Sequence, residues 1–317
     1  MKKELRSLAM VLPLSLSMFT SCDVLSPLDP GNSSPTDKTE TDIVSGLKGA
    51  LVLGAKTAAF TLSDTSGNPN QFNEVTGYFA NELTKINLPA DAVNALKMLE
   101  GLNNSEIGKT LLDAAGIDIS QYRESMILGL NRGAEIAAAL SVDVFEKVIR
   151  EMDIPSAQDI LFGQDSTAAT SYLQSTTSDI LTNGFTPIVD SVFNEVMVTA
   201  FGKQFTVNDL WREFAENYNN VVIEYQRLTT EAASTDPMAV LALEAAMSDI
   251  GITSVDPLDI NIASFATSEA LEGLFYMVGK QEVKIRRDPV AALSNAINFY
   301  TDTLYNLIMT IFSKTTE

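Results

Sequence analysis

The chain has 317 residues, 45% of them hydrophobic, with a formal net charge of −20, one cysteine and no histidine. This length and apolar content allow a large buried core, while the acidic charge argues against binding to nucleic acid or to anionic lipid, which need basic surface. The missing histidines and the single cysteine exclude Ser-His-Asp and Cys-His sites, histidine-type zinc sites and an intrachain disulfide.

The start of the chain predicts export and lipid attachment. Three basic residues precede an apolar run over residues 8–19, and Cys22 follows the small residues Thr20 and Ser21. Signal cleavage requires small residues before the cut, and lipid transfer requires a thiol directly after it. We expect residues 1–21 to be a cleaved signal peptide and Cys22 to carry a covalent acyl lipid. The alternative is a plain signal peptide.

Residues 22–41 comprise this cysteine and a segment rich in Pro, Gly, Ser and Asn without apolar periodicity. Such a composition is typical of a flexible tether. We expect it to hold a single helical domain, residues 42–317, away from the membrane. The expected location is a bacterial cell envelope, facing the periplasm or the cell surface, with the outer membrane favoured and the lipid as the only contact with the bilayer.

The first helix of this domain is predicted to start after Thr41, which is a good N-cap. Residues 85–89 alternate briefly and predict an extended piece, after which Pro89 opens a second helix. Small residues at every fourth position give the first helix one smooth face that a neighbouring helix can approach closely: Gly46, Ala50, Gly54 and Ala58.

Residues 122–140 predict a helix that is apolar on nearly all sides and therefore central to the bundle. Arg132 and Glu135, three residues apart, are predicted to be at least partly buried and so to form a pair. They form either an anion-binding or catalytic site, or a structural ion pair that fixes helix packing. We favour the structural interpretation, because no second catalytic group is visible nearby.

Further helices are predicted over residues 142–152, 155–162, 165–181 and 187–199, with Asp165 capping the third. Thr206 and Asp209 form a variant of the capping box that opens the next helix. The aromatic residues of that helix predict either a ligand pocket or, more commonly at this spacing, a core-facing stripe: Trp211, Phe214, Tyr218 and Tyr225.

Residues 232–257 predict a peripheral helical hairpin, in which Pro237 starts a helix and Gly251 ends it. Glu282 and Arg286 predict an ion pair one turn apart, before Pro289 breaks their helix. Residues 293–311 predict a last amphipathic helix. No repeat and no sustained strand alternation is present, so the predicted fold is an all-α bundle of ten or more helices.

Five blocks of the sequence, in order, resemble domain-of-unknown-function family 4197. They are residues 77–89, 130–135, 163–172, 185–189 and 270–289. The resemblance implies an exported bacterial protein, in many members a lipoprotein, without an assigned reaction. It also emphasises the block that contains Asn131, Arg132 and Glu135. The chain departs from the family pattern by an insertion over residues 224–257 and by a longer C-terminal helix.

Three functions are compatible with the sequence. The favoured one is a non-enzymatic, lipid-anchored helical module that binds a protein partner in the envelope. The second is a carrier of a lipid or other apolar ligand, suggested by Ala- and Gly-rich helices and the aromatic residues around Trp211. The third is an enzyme with Glu135 as acid or base and Arg132 orienting an anionic group. No catalytic set, metal site or cofactor is expected beyond the acyl lipid on Cys22.

Overall fold

The computed structural model describes residues 39–69, 74–104, 118–249, 251–252 and 254–294, together with Lys109 and Leu112. The compact unit begins at Thr39. The predicted signal peptide, Cys22, the tether up to residue 38 and the last amphipathic helix beyond Ser294 lie outside the described residues.

Within these residues the chain forms a bundle of helices with one small hairpin, which confirms the predicted all-α, multi-helix fold. The elements, in chain order, are α1 (Glu40–Ser63), α2 (Ala90–Asn103), α3 (Tyr122–Leu140), α4 (Val142–Glu151), α5 (Ala157–Phe162), α6 (Ala168–Phe193), β1 (Met197–Ala200), β2 (Lys203–Thr206), α7 (Val207–Thr235), α8 (Pro237–Asp249), α9 (Ile262–Arg287) and α10 (Pro289–Ser294).

Helices α1, α3, α6 and α9 pack against one another and form the centre of the bundle. The smooth face of α1 meets α9, because a methyl group added at Gly54 would lie 3.4 Å from the Val278 side chain. Among the described helices, α1 is long and apolar enough to span a bilayer, but 67% of its apolar window is buried in the bundle. Its apolar surface therefore serves as core.

The first and sixth helices start at residues other than those predicted. Thr39, not Thr41, caps α1: its hydroxyl accepts the N–H of Asp42, whose carboxylate accepts the N–H of Thr39. This reciprocal capping box starts the helix two residues earlier than predicted. Thr167, not Asp165, precedes α6, since Asp165 accepts the Thr167 N–H and holds the turn before the helix.

The predicted helices over residues 165–181 and 187–199 are wrong as two separate elements. A single helix, α6, continues through Pro187 and ends at Phe193. Proline costs one main-chain hydrogen bond inside a helix, but Phe185 and Val189 on either side of it are buried in the core. Packing of this apolar face holds the helix together across the proline.

Residues 197–200 form a strand instead of the end of a helix. Their exposure alternates along β1, and β1 pairs with β2 in antiparallel register from Met197 opposite Thr206 to Ala200 opposite Lys203. The two turn residues, Phe201 and Gly202, both have positive φ, 52° and 70°. A two-residue turn of this kind matches the twist of a hairpin.

Three of the aromatic residues on α7 belong to the core. Trp211, Phe214 and Tyr218 are buried, and the indole N–H of Trp211 donates to the carbonyl of Ile260 at 3.2 Å. Beyond Val222, α7 continues outward and packs against α8, which starts at Pro237 as predicted. The core-facing interpretation of the stripe therefore holds for these three residues.

Candidate functional site

The charged block singled out in the sequence lies on α3 and faces the loop segment 77–86. Glu135 is 1% exposed. Its Oε1 accepts the main-chain N–H of Phe79 at 3.1 Å, and its Oε2 accepts Nη1 of Arg132 at 2.6 Å. Both carboxylate oxygens are therefore engaged, one with the loop and one with the neighbouring guanidinium.

Arg132 connects this carboxylate to a second stretch of main chain. Its Nη1 also donates to the carbonyl of Thr65 at 3.2 Å. The guanidinium carbon lies 5.6 Å from the centre of the Phe79 ring, and the ammonium of Lys85 lies 5.2 Å from the same ring. Arg132 thus fixes two loops to α3 through an ion pair, a carbonyl contact and a cation–π contact.

Asn131 completes the block and is fully buried. Its Oδ1 accepts the N–H of Ile86 at 2.9 Å, while its Nδ2 donates to the carbonyls of Ile86 and Ile127 at 2.7 Å each. The side-chain amide thus forms with the Ile86 main chain the same two hydrogen bonds that an adjacent β-strand would form. The role of Asn131 was not predicted; an asparagine within an otherwise apolar stretch of α3 was the available signal for it.

Tyr78 and Gly77 complete the packing of this loop. The Tyr78 hydroxyl donates to the carbonyl of Ala270 at 2.8 Å. Burial, and secondarily the charge of Glu135, raise the pKa of Tyr78 well above its usual value. Gly77 has φ 78°, and a methyl group there would lie 2.7 Å from Oε1 of Glu135. Glycine is therefore required for the loop to approach the carboxylate.

A small void lies next to the block, in the core behind Tyr78. It is lined by Tyr78, Ala134 and Ala270 among others and has a volume of about 10 Å³, which is room for about one water molecule. The arrangement of Asn131, Arg132 and Glu135 holds the segment 77–86 against α3.

Two further charged clusters hold helices and loops together. Glu282 and Arg286 on α9 form the predicted pair, at 2.7 Å. Glu74, which is buried, lies 3.3 Å from Nζ of Lys280 and 2.9 Å from Nζ of Lys284. In the described part of the chain no group of three or more Asp, Glu, His or Cys residues is placed to bind a metal ion.

An open apolar groove lies between α3 and α6, with a volume of about 680 Å³. We call it the α3–α6 groove. Two of its apolar residues come from α3 and the others from α6, β1 and the connection between them. Glu195 is the charged residue among those described in its lining. Its apolar lining includes Ile136, Leu140, Pro187, Ile188, Val192 and Met197. No sequence pattern predicted this groove, because it depends on how three distant elements pack.

Fold and site together define a helical bundle with a tightly packed polar block and an open apolar surface groove. Residues 37–298 match the protein family of unknown function DUF4197, and the chain belongs to this family. The match confirms the resemblance seen in the five sequence blocks. No curated protein and no solved structure matches the chain.

Proposed function

We propose that this protein is a lipid-anchored helical module of the bacterial cell envelope that binds a protein partner through the α3–α6 groove. The observation that carries the proposal is the groove itself, since it brings exposed apolar side chains from α3, α6 and β1 together on one surface. Leu140 is 55% exposed and Met197 is 52% exposed. Contiguous exposed apolar surface of this kind is typical of interaction sites.

The anchor rests on the sequence around Cys22. Two or three acyl chains on one cysteine hold a protein on a bilayer essentially permanently, whereas one chain binds only marginally. A Cys22→Ala protein should therefore leave the membrane fraction or remain unprocessed. If Cys22→Ala fractionates with membranes as the wild type does, the anchor is not a lipid on this residue.

The voids in the core give little support to the alternative that the protein carries a lipid or other apolar ligand. The enclosed voids beside Tyr78 and beside Leu47 each have a volume of about 10 Å³. Neither holds an acyl chain, so an apolar ligand would have to bind in the α3–α6 groove. Because the groove is open to water along its length, a protein surface covers it better than a single small ligand does.

The enzyme alternative depends on Glu135 and Arg132. Both oxygens of Glu135 are engaged in packing contacts, so we assign the pair a structural role. Full envelope function in a Glu135→Gln protein that folds normally is the expected result. Loss of function at unchanged stability would support the enzyme alternative instead.

The proposal can be tested by photo-crosslinking in the native envelope. A photoreactive amino acid at Ile136, in the groove, should crosslink the lipidated protein to one identifiable envelope protein. The same amino acid at Ile180, which is 58% exposed on α6 but does not line the groove, should give no such product. Crosslinks to protein from neither position, or equally from both, would contradict a groove-based partner.

A further inference from the structure

The α3–α6 groove has the geometry of a site for one helix. Ile136 and Leu140 lie one turn apart on α3 and are 46% and 55% exposed, while Pro187 and Ile188 contribute from α6. A helical turn rises about 5.4 Å, and residues four apart line one face of a helix. The α3 wall therefore presents apolar side chains at the spacing with which an incoming helix presents its own.

Strand addition to the hairpin is disfavoured at this place. On the edge of β1 that faces α3, the carbonyl of Thr199 is already engaged, because it accepts the hydroxyl of Ser125 at 3.2 Å. An extended peptide would need this main-chain edge for its own hydrogen bonds. A helix satisfies its main chain internally and needs only the apolar walls.

The acidic charge around the groove determines which kind of helix can bind there. Glu195 lines the groove and is exposed. Lys203, at the turn end of the hairpin, is separated from Met197 by the length of β1, about 10 Å. The whole chain carries a net charge of −20. A second copy of this chain would bring the same negative charge, whereas basic residues beside an apolar stripe would complement the rim.

From this placement we infer that the α3–α6 groove binds an amphipathic helix of a partner protein whose apolar stripe is flanked by Lys or Arg. The inference rests on the proposed function and adds the class of partner. The apolar stripe covers Ile136, Leu140 and Met197, and the flexible thioether of Met197 adapts to the shape of the incoming side chains. The basic flank pairs with Glu195, which gives selectivity more than affinity.

The test uses three labelled synthetic peptides and the chain without residues 1–22, which keeps the whole compact unit that begins at Thr39. One peptide consists of Leu and Lys with leucines at helical spacing, the second has Glu in place of Lys, and the third is a scrambled Leu/Lys peptide of identical composition. Fluorescence anisotropy at 0.15 M salt should show the first peptide binding at least tenfold tighter than either of the others. Equal binding of the scrambled peptide, or tighter binding of the acidic one, would overturn the inference.

Two variant pairs locate the binding. Leu140→Ser should weaken binding of the Leu/Lys peptide at least fivefold, while Ile180→Ser, at a similarly exposed residue outside the groove, should change it less than twofold. Glu195→Lys should remove most of the preference for the basic peptide, while Glu216→Lys on the exposed side of α7 should not. Circular dichroism confirms that each variant is folded. Binding that Leu140→Ser leaves unchanged would place the site elsewhere.

The experiments distinguish a failure of this inference from a failure of the proposed function. If Ile136 crosslinks to an envelope protein but the Leu/Lys peptide does not compete with that product, a partner exists and is not a basic amphipathic helix. If no crosslink to a protein forms in the envelope, the proposed function fails whatever the peptides do.

Discussion

Glu282 and Arg286 lie one turn apart on α9, and each holds the end of a different helix. The carboxylate of Glu282 accepts the N–H groups of Ala169 and Thr170 at the start of α6, at 3.0 and 2.8 Å. The guanidinium of Arg286 donates to the carbonyls of Ile160 and Leu161 at the end of α5. Each charge matches the dipole of the helix end that it caps, so one ion pair connects three helices.

The first prediction concerns this ion pair. Glu282→Gln should lower the free energy of unfolding by about 3 kcal/mol or more, because Arg286 stays mostly buried without its counter-charge. Urea denaturation measures the change. The matched control is Glu224→Gln, which removes a solvent-exposed pair with Arg227 on α7 and should leave the stability unchanged within error. Equal effects of the two substitutions would show that the α9 pair does not connect the helices.

The second prediction concerns the amide that holds the extended segment. Asn131→Leu keeps the volume of the side chain but leaves the N–H and carbonyl of Ile86 without partners. Each unsatisfied buried group costs about 1–3 kcal/mol, so the protein should lose about 2–6 kcal/mol of stability. Hydrogen exchange at the Ile86 amide should accelerate. The exposed Asn220→Leu serves as control, and slow exchange in Asn131→Leu would mean that other contacts hold the segment.

The third prediction compares two buried glycines in helices. A methyl group at Gly133 would lie 2.2 Å from the Phe193 ring, whereas one at Gly279 would meet nothing closer than 3.5 Å. Gly133→Ala should therefore destabilise the protein by about 1–3 kcal/mol through overpacking. Gly279→Ala should be neutral or stabilising by up to about 1 kcal/mol, since alanine favours the helix. Thermal unfolding distinguishes the two, and a similar loss in both would contradict the α3–α6 contact.

The fourth prediction concerns stability at alkaline pH. Burial raises the pKa of Tyr122 to about 12, against an opposing hydrogen bond from Asn217, and burial also raises the pKa of Tyr78. The folded protein thus keeps these phenol protons more tightly than the unfolded chain, whose tyrosines have a pKa of about 10. Stability should be complete below pH 10 and fall as the pH rises from there through the folded-state pKa values.

Urea denaturation at pH 8, 10 and 11 measures this loss. Tyr122→Phe should flatten the decline above pH 10, because one of the phenols with a raised pKa is gone. Tyr276→Phe, a substitution at an exposed residue, should keep the wild-type profile. A decline that Tyr122→Phe does not alter would show that other groups control the alkaline transition.

The sequence predicted the helices well wherever the local pattern decides the structure. Gly54 allowed the approach of α9, and Pro289 ended that helix at Arg287 as expected. The prediction from the sequence was wrong at Pro187, where burial of Phe185 and Val189 outweighs the local preference for a helix break. The predicted helix was also wrong at Met197–Ala200, where pairing with β2 and packing against α3 outweigh the helical spacing of the apolar residues.

The candidate site was predictable to a similar degree. Arg132 and Glu135 lie together on α3, as their separation of three residues in the sequence indicates. Their actual partners, the main chain of Phe79 and Thr65, come from loops more than 50 residues earlier and leave no local trace in the sequence. The α3–α6 groove was missed entirely, because no single element shows that its apolar residues remain uncovered.

The most direct test of the account is native mass spectrometry of residues 23–317, produced in the periplasm and purified without detergent. A protein-binding module with a filled core should give the mass of the bare polypeptide. A reproducible additional mass of lipid size, lost in Leu140→Ser, would contradict the account and show that the α3–α6 groove carries a lipid instead of a partner helix.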